Sequence, residues 1–314
     1  MISRRGFTQA ALAGIPLSSA WTAQAASEMR VGLATTSFRE LLRTPGRDNV
    51  ADIVKAVRAA GVTEIELSSA NTEPAGPNSG PAVPPPPSAY PNPIKTPSPA
   101  EVAAAKLAVR NSLRDWRLRT GATMHSGFRE QFQAAGIALF AYRVDYDDSF
   151  TDDEIEVTFQ QAKTLGVARI TSIATLKTAR RLAPFAEKHG IEVALHNTAS
   201  KDAGALAAPQ SFRAALALSP HFRLNFDIGN FTAAGFEAVA FLQENHAIVS
   251  HLQVKDRTRN GGNERFGDGD TPIKEVLAVV KEKRLAVPVF VEYEYIGLGT
   301  PQEEVRKCLA YVRG

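Results

Sequence analysis

At 314 residues, with 44% hydrophobic and 22% charged side chains, the chain is long enough to bury a large core, which excludes disorder as its overall state. Its 36 Lys+Arg against 33 Asp+Glu leave a formal charge of +3, too even a balance for a nucleic-acid footprint. The single cysteine, Cys308, excludes an internal disulfide framework, a Cys-based zinc site and a CxxC redox pair.

The chain opens on Ser3-Arg4-Arg5-Gly6-Phe7-Thr8, continues as an uncharged apolar run from Ala10 to Ala20, and reaches Ala23-Gln24-Ala25. A charged start, an apolar middle and a small-residue cleavage site are the three parts of a secretory signal. The paired arginines resemble the twin-arginine address for exporting folded proteins. A Sec signal or a retained anchor is the alternative, although the apolar run is well short of the roughly 20 residues a membrane span needs. Residues 1–25 are therefore expected to be removed. A mature protein working in the periplasm or outside the cell follows, with no membrane association after processing.

From residue 26 onward, short β-branched runs alternate with longer stretches of helical period. Eight strands are predicted: Val31–Phe38, Thr63–Leu67, Ile137–Val144, Ala168–Ile173, Ile191–Asn197, Phe222–Asp227, Ile248–Val254 and Pro288–Glu294. Thr151-Asp-Asp-Glu154 and Thr300-Pro-Gln-Glu303 read as capping boxes, and Thr271-Pro272 as another helix start. Gly61, Gly136, Gly166 and Gly190 fall where left-handed helix ends are wanted. Strict alternation implies parallel strands joined by crossovers, and eight such units in this length fit a single-domain (β/α)8 TIM barrel spanning 26–314. The rival, an open doubly wound sheet, lacks the glycine-rich phosphate loop after its first strand.

Residues 71–100 break the rhythm, holding 11 of the 19 prolines. They are expected to form a long Pro-rich loop after the second strand, locally polyproline II. Because βα loops emerge at the catalytic face, it reads as a flap over the barrel mouth or a contact in a homo-oligomer, with a disordered insertion as the alternative.

In a barrel, polar residues at the C-terminal ends of strands point into the site. Four consecutive strands carry them: Leu195-His196-Asn197, Phe226-Asp227-Ile228-Gly229-Asn230, His251-Leu252-Gln253-Val254-Lys255-Asp256 and Val291-Glu292-Tyr293-Glu294. His196, Asp227, His251 and Glu292 are thereby expected to converge as metal ligands. Two imidazoles and two carboxylates suit a divalent Mn, Co, Fe or Zn ion. Each residue alone could equally be a hydrogen-bonded rim residue.

These strand ends, with Gly267-Asp268-Gly269-Asp270, resemble the sugar phosphate isomerase/epimerase-like TIM barrels, a group that includes xylose isomerase, tagatose epimerase, inosose dehydratase and endonuclease IV-like proteins. The resemblance implies a divalent metal held by Glu, Asp, His and Glu from strands five to eight, matched here by Asp227, His251 and Glu292. Strand five departs from it, with His196 where the epimerases carry glutamate. Since their two metal-bound glutamates also exchange protons on opposite faces of the substrate, the histidine puts that mechanism in doubt.

A metal chelating a carbonyl and its neighbouring hydroxyl acidifies the C–H between them, the first step of isomerisation, epimerisation and β-elimination alike. Glu292, Glu294 and Lys255 are the catalytic candidates, with Asp256 and His125 as further possible bases. Glu294 lies on the same side as Glu292 by the period of two, or is a partner of a ligand histidine or Lys255. Lys255 reads more readily as an ion pair or hydroxyl donor than as a base, and His125, in an irregular stretch, as structural or exposed. Glu66, Asn197, Asn230, Asp256, Gly267 and Asp268 are candidate substrate contacts, with a buried ion pair the equal alternative for Glu66. The 267–270 loop suits sugar hydroxyls or is a solvated charged loop, while Arg257, Arg259 and Arg265 keep an anion open. His189, His221 and His246 receive no role.

The expected function is a metal-dependent isomerase or epimerase of a small unphosphorylated sugar or keto-sugar. A lyase or hydratase on keto-sugars or keto-glycosides is the runner-up. A catalytically silent sugar-binding barrel is the third reading. Endonuclease activity fails on charge, location and ligand count.

Overall fold

The computed structural model describes residues 29–75, 98–202, 204–259 and 261–314. The twin-arginine segment and the centre of the Pro-rich stretch lie outside the described residues. Eight parallel strands close into a barrel: β1 (Val31–Ala34), β2 (Glu64–Ser68), β3 (Ala138–Arg143), β4 (Arg169–Ile173), β5 (Glu192–His196), β6 (Phe222–Asp227), β7 (Val249–Val254) and β8 (Val289–Val291). β1 closes the ring by pairing with β8, Gly32 opposite Phe290. Helices separate consecutive strands and cover the outside with a continuous apolar core that includes Val57, Phe132, Phe159, Phe226, Leu277 and Leu309. Among the described residues no helix is long and apolar enough to cross a membrane.

The local signals act as their chemistry requires. Thr151 and Thr300 each accept from the backbone N–H of the third helical residue, Glu154 and Glu303, whose carboxylates return to the cap. Gly166 and Gly190 end their helices in the left-handed region, at φ 78° and 62°, which a side chain would resist. Thr271 does not cap a helix. Its N–H donates to Asp256 and its hydroxyl accepts from the Arg257 N–H, so the next helix, Ile273–Glu282, starts without a side-chain cap.

Strand ends differ from the expected ones where polar side chains take over backbone partners. β1 stops at Ala34, and Thr35–Phe38 form a 3-10 turn in which the Thr35 hydroxyl accepts from Ser68 N and donates to Asn71. β8 stops at Val291 because only Glu292 N still reaches Val254 O, while Tyr293 N turns to the Ser37 hydroxyl. The stretch expected as a loop over 71–100 is narrowed from both sides by helices, Ser69–Thr72 and Pro99–Thr120.

The barrel interior is layered. At the base, the Phe140 and Phe290 rings pack at 4.7 Å, each edge-on to His251. Gly32 makes room for that floor, since a Cβ there would stand 2.5 Å from the Phe290 ring. Above the aromatic floor the inward side chains turn polar, and at the C-terminal mouth they turn ionic.

Candidate metal centre and its surroundings

His196 and Asp227 are the last residues of β5 and β6, and Glu292 follows the last residue of β8. Each offers one ligand atom such that the three atoms lie within 4.8 Å of one another, and all three residues are buried. An imidazole nitrogen and two carboxylates suit a divalent transition metal. Burial, with the Arg143 guanidinium nearby, holds His196 well below its ordinary pKa, so the ring is neutral, as a metal ligand must be. Asp227 Oδ1 accepts from Asn230 N at 2.7 Å, capping the short helix Ile228–Ala233. Its Oδ2, 3.4 Å from His196 Nε2, is buried without an aligned hydrogen bond. A buried carboxylate oxygen without an aligned hydrogen bond, beside a neutral imidazole, is a donor set that fits a divalent cation.

His251 is not brought to this group. In the β6–β7 register Asn225 stands opposite His251 and Asp227 opposite Gln253, so His251 lies two residues deeper, about 7 Å down the barrel. There its Nε2 is 3.1 Å from Glu66 Oε2, and its Nδ1 is 3.2 Å from the Ser250 hydroxyl. Glu66, expected at the substrate or in a buried ion pair, takes the second position. Gln253 occupies the level expected for the histidine, its Oε1 accepting from Asn225 Nδ2 at 2.9 Å.

Lys255, one residue beyond β7, points into the centre. Its Nζ is 3.0 Å from Asp227 Oδ2, 3.1 Å from Glu292 Oε2 and 2.7 Å from Glu294 Oε2. Burial would favour the neutral amine, but Asp227, Glu292 and Glu294 together raise its pKa, so it is an ammonium and no base. Glu292 also accepts from Arg143 Nη1 at 3.0 Å and from the Thr36 hydroxyl at 2.6 Å. Burial alone would raise Glu292, yet Lys255 and Arg143 hold it well below the usual carboxylate range, which makes it a weak proton acceptor. Burial pushes Asp227 up to about 6 against the pull of Lys255. Glu294 sits nearest the mouth, its side chain 30% exposed.

The remaining candidates brace the site. Asn197 spans to β6 with both ends of its amide, accepting from Asp227 N and donating to Asp227 O. Asn230 donates to Asn197 O and accepts from Arg257 Nη1. Asp256 engages both oxygens with the N–H groups of Gly267, Gly269 and Thr271, so it folds the 267–271 loop around itself and is buried by it. Asp268 pairs with Arg265 in solvent, and Gly267 packs against Tyr311. His125 is buried in the helix Met124–Ala134, correcting its expected irregular setting, and lies 3.5 Å from the Tyr142 hydroxyl. Arg143, the last residue of β3, was missed although the same strand-end rule identifies it. It also grips Asp145, whose Oδ1 accepts from Ile173 N.

A closed parallel barrel with a cluster of His, Asp and Glu at its C-terminal mouth defines the class: a (β/α)8 barrel with a candidate metal centre. The chain belongs to the xylose isomerase-like TIM barrel family, whose sequence profile matches residues 134–313. No curated protein matches the sequence. Among solved structures it is similar in fold to the probable 3-DHS dehydratase AsbF, involved in petrobactin synthesis in Bacillus anthracis, at 12% identity and TM-score 0.60, over 91% of this chain and 99% of that one. It is similar also to the 3-keto-D-glucoside 4-epimerase YcjR from E. coli, at 12% identity and TM-score 0.59, over 91% and 99%. The IOLI protein with a bound zinc atom aligns at 15% identity and TM-score 0.58, over 90% and 96%. At these identities the likeness is one of fold.

Proposed function

We propose that the protein is a divalent-metal-dependent isomerase or epimerase, exported from the cytoplasm, that acts on an unphosphorylated sugar or keto-sugar by removing a proton next to a carbonyl. The observation that carries the reading is the group His196, Asp227 and Glu292 within 4.8 Å, with a neutral ring and an Asp227 oxygen that has no aligned hydrogen bond. These three residues would hold the ion, and a bound divalent cation polarises a carbonyl as a Lewis acid.

The chain's own residues supply the rest. Glu294 is the carboxylate suited to take the proton, because it is partly exposed and has Lys255 as its partner in the site, whereas buried Glu292 is held by Lys255, Arg143 and Thr36 together. Arg143, held between Glu292 and Asp145, is a fixed positive charge at the mouth that would favour negative charge developing on a bound carbonyl oxygen. Family membership supports a sugar as substrate, and the twin-arginine-like start of the sequence supports an unphosphorylated one, since an exported enzyme would meet few phosphorylated sugars.

One observation favours a second reading, a lyase or dehydratase. The β5 position holds neutral His196, so that position offers no carboxylate for proton exchange on a second face of a sugar. A single base suffices for β-elimination from a keto-sugar.

The protein, loaded with Zn2+ or Mn2+, should be incubated in D2O with free and 3-keto sugars and followed by NMR. Deuterium entering beside the carbonyl of an intact sugar supports the isomerase, and an unsaturated ketone supports the lyase. No exchange and no elimination with any keto-sugar, at full metal occupancy, would sink both.

A further inference from the structure

Lys255 is placed where its charge conflicts with the ion. Its Nζ lies between the two carboxylates of the metal centre, 3.0 Å from Asp227 and 3.1 Å from Glu292. A divalent ion bonds carboxylate oxygens at about 2.0–2.2 Å, so an ion on the same two carboxylates would compete with the ammonium for one small volume. Both are cations, and that volume is cut off from water. We propose that Lys255 is a resident counter-ion that occupies the metal centre until the metal arrives, and that the ammonium then gives up Asp227 and Glu292 and swings outward, held by Glu294 alone. The proposal rests on the metal-dependent reading above.

Three further features support it. Asp227, Glu292 and Glu66 are buried carboxylates, and buried charges need partners; Arg143 alone cannot serve them, being shared with Asp145. Asp227 Oδ2 has the ammonium at 3.0 Å yet no aligned hydrogen bond, so Lys255 fills the charge requirement of the site without matching its geometry. Glu294 is the contact that would remain, already 2.7 Å from Nζ, with a side chain 30% exposed. The base of the lysine is fixed, because the helix Ile228–Ala233 packs on it so closely that a Cβ on Gly229 would stand 2.6 Å from Lys255 O and 2.7 Å from its Cγ. Movement is therefore confined to the outer methylenes, which suits a short swing and excludes withdrawal of the strand end. Zinc loading thus changes the protein at one named amine.

The test is amine labelling of the full chain by reductive methylation, with and without Zn2+, read peptide by peptide by mass spectrometry. Lys177, whose side chain is 72% exposed against 6% for Lys255, serves as the internal standard. Zinc is expected to raise labelling of Lys255 relative to Lys177 by about tenfold, in proportion to occupancy. Unchanged or reduced labelling while zinc is bound would overturn the proposal, because the ion would then sit beside a lysine that stays in place. Zinc affinity by chelator competition provides the second arm. Lys255→Met should bind at least about tenfold tighter than wild type, and Glu294→Gln several-fold weaker. In the Lys255→Met background, Glu294→Gln should have almost no effect, since no ammonium remains to be housed. Additive effects would mean simple through-space charge and would also overturn the swing. If neither wild type nor Lys255→Met binds zinc, the metal-dependent reading itself falls. If both bind equally well, that reading stands and only the role of Lys255 fails.

Discussion

Two clusters of buried charge lie in this barrel, and they are built on opposite plans. Beneath the helix Pro99–Thr120, Arg117 donates to Glu73 at 2.7 Å and to Glu154 at 3.1 Å, and Arg110 grips Glu154 through both terminal nitrogens at 2.8 and 2.7 Å. Two carboxylates face two guanidiniums, and both guanidiniums lie over the Phe150 ring. At the mouth, Asp227, Glu292 and Glu66 outnumber Lys255 and Arg143, and Asp227 Oδ2, Glu66 Oε1 and His196 Nδ1 are buried without hydrogen-bond partners. The first cluster is complete in itself and ties a helix to the barrel. The second is incomplete, a cost a fold bears where a ligand supplies the missing interactions.

Breaking each cluster should therefore cost different things. Glu154→Ala takes from two guanidiniums the carboxylate they share, leaving Arg117 on Glu73 and Arg110 on Ser149, and should lower unfolding stability by about 3 kcal/mol in urea titrations. Asp227→Asn keeps the cap on Asn230 N and removes a charge whose pKa burial already raises, so its unfolding free energy should stay within about 1 kcal/mol of wild type or rise. Turnover should show the reverse. Asp227→Asn and Glu292→Gln should each lose about 100-fold or more in kcat with the sugar that scores in the D2O assay, whereas the folded fraction of Glu154→Ala should turn over normally. A large stability loss in Asp227→Asn would place the mouth cluster with the structural one.

The contrast also explains what the sequence discloses. Eight apolar runs separated by helical periods define the barrel, because each strand is buried on both faces and each crossover must be a helix. Strand ends are less legible where Thr35 or Ser37 takes a backbone partner that the ladder would otherwise use. In the site, a polar residue at a strand end identifies the mouth only when its depth is counted. His196, Asp227 and Arg143 are the final residues of their strands, and Lys255 and Glu292 lie one beyond, but His251 stops three short of the end of β7 and so belongs to the layer below. That count was open to sequence reasoning. The spending of Asp256 and Asn197 on backbone groups was not, since it depends on how the 267–271 loop and the end of β6 close in space.

A neutral buried group sharpens the comparison further. His125 is buried, which pushes its pKa down to about 4 from an ordinary 6.5. Between these values the unfolded chain binds a proton that the native state refuses, so stability is full above about pH 6.5 and is lost as the pH falls toward 4, by about 3 kcal/mol in all. Urea midpoints measured from pH 7 to pH 4 should fall accordingly. In His125→Phe that part of the slope should disappear, although the larger ring adds a packing cost at every pH.

The smallest effect separates the two jobs of Glu154, as capping partner and as ion-pair member. The same capping box opens the helices Asp152–Leu165 and Pro301–Arg313, but Glu154 is buried under two arginines, whereas Glu303 is exposed. Thr300→Ala removes one N-cap acceptor and should cost about 1 kcal/mol. If the arginines, and not the cap, hold Glu154 in place, Thr151→Ala should cost the same amount, because the Glu154 side chain keeps Arg110 and Arg117 after the threonine hydroxyl is gone. A much larger cost for Thr151→Ala in parallel urea titrations would mean that the cap positions the carboxylate for its guanidiniums, and that the structural cluster is assembled from the helix start outward.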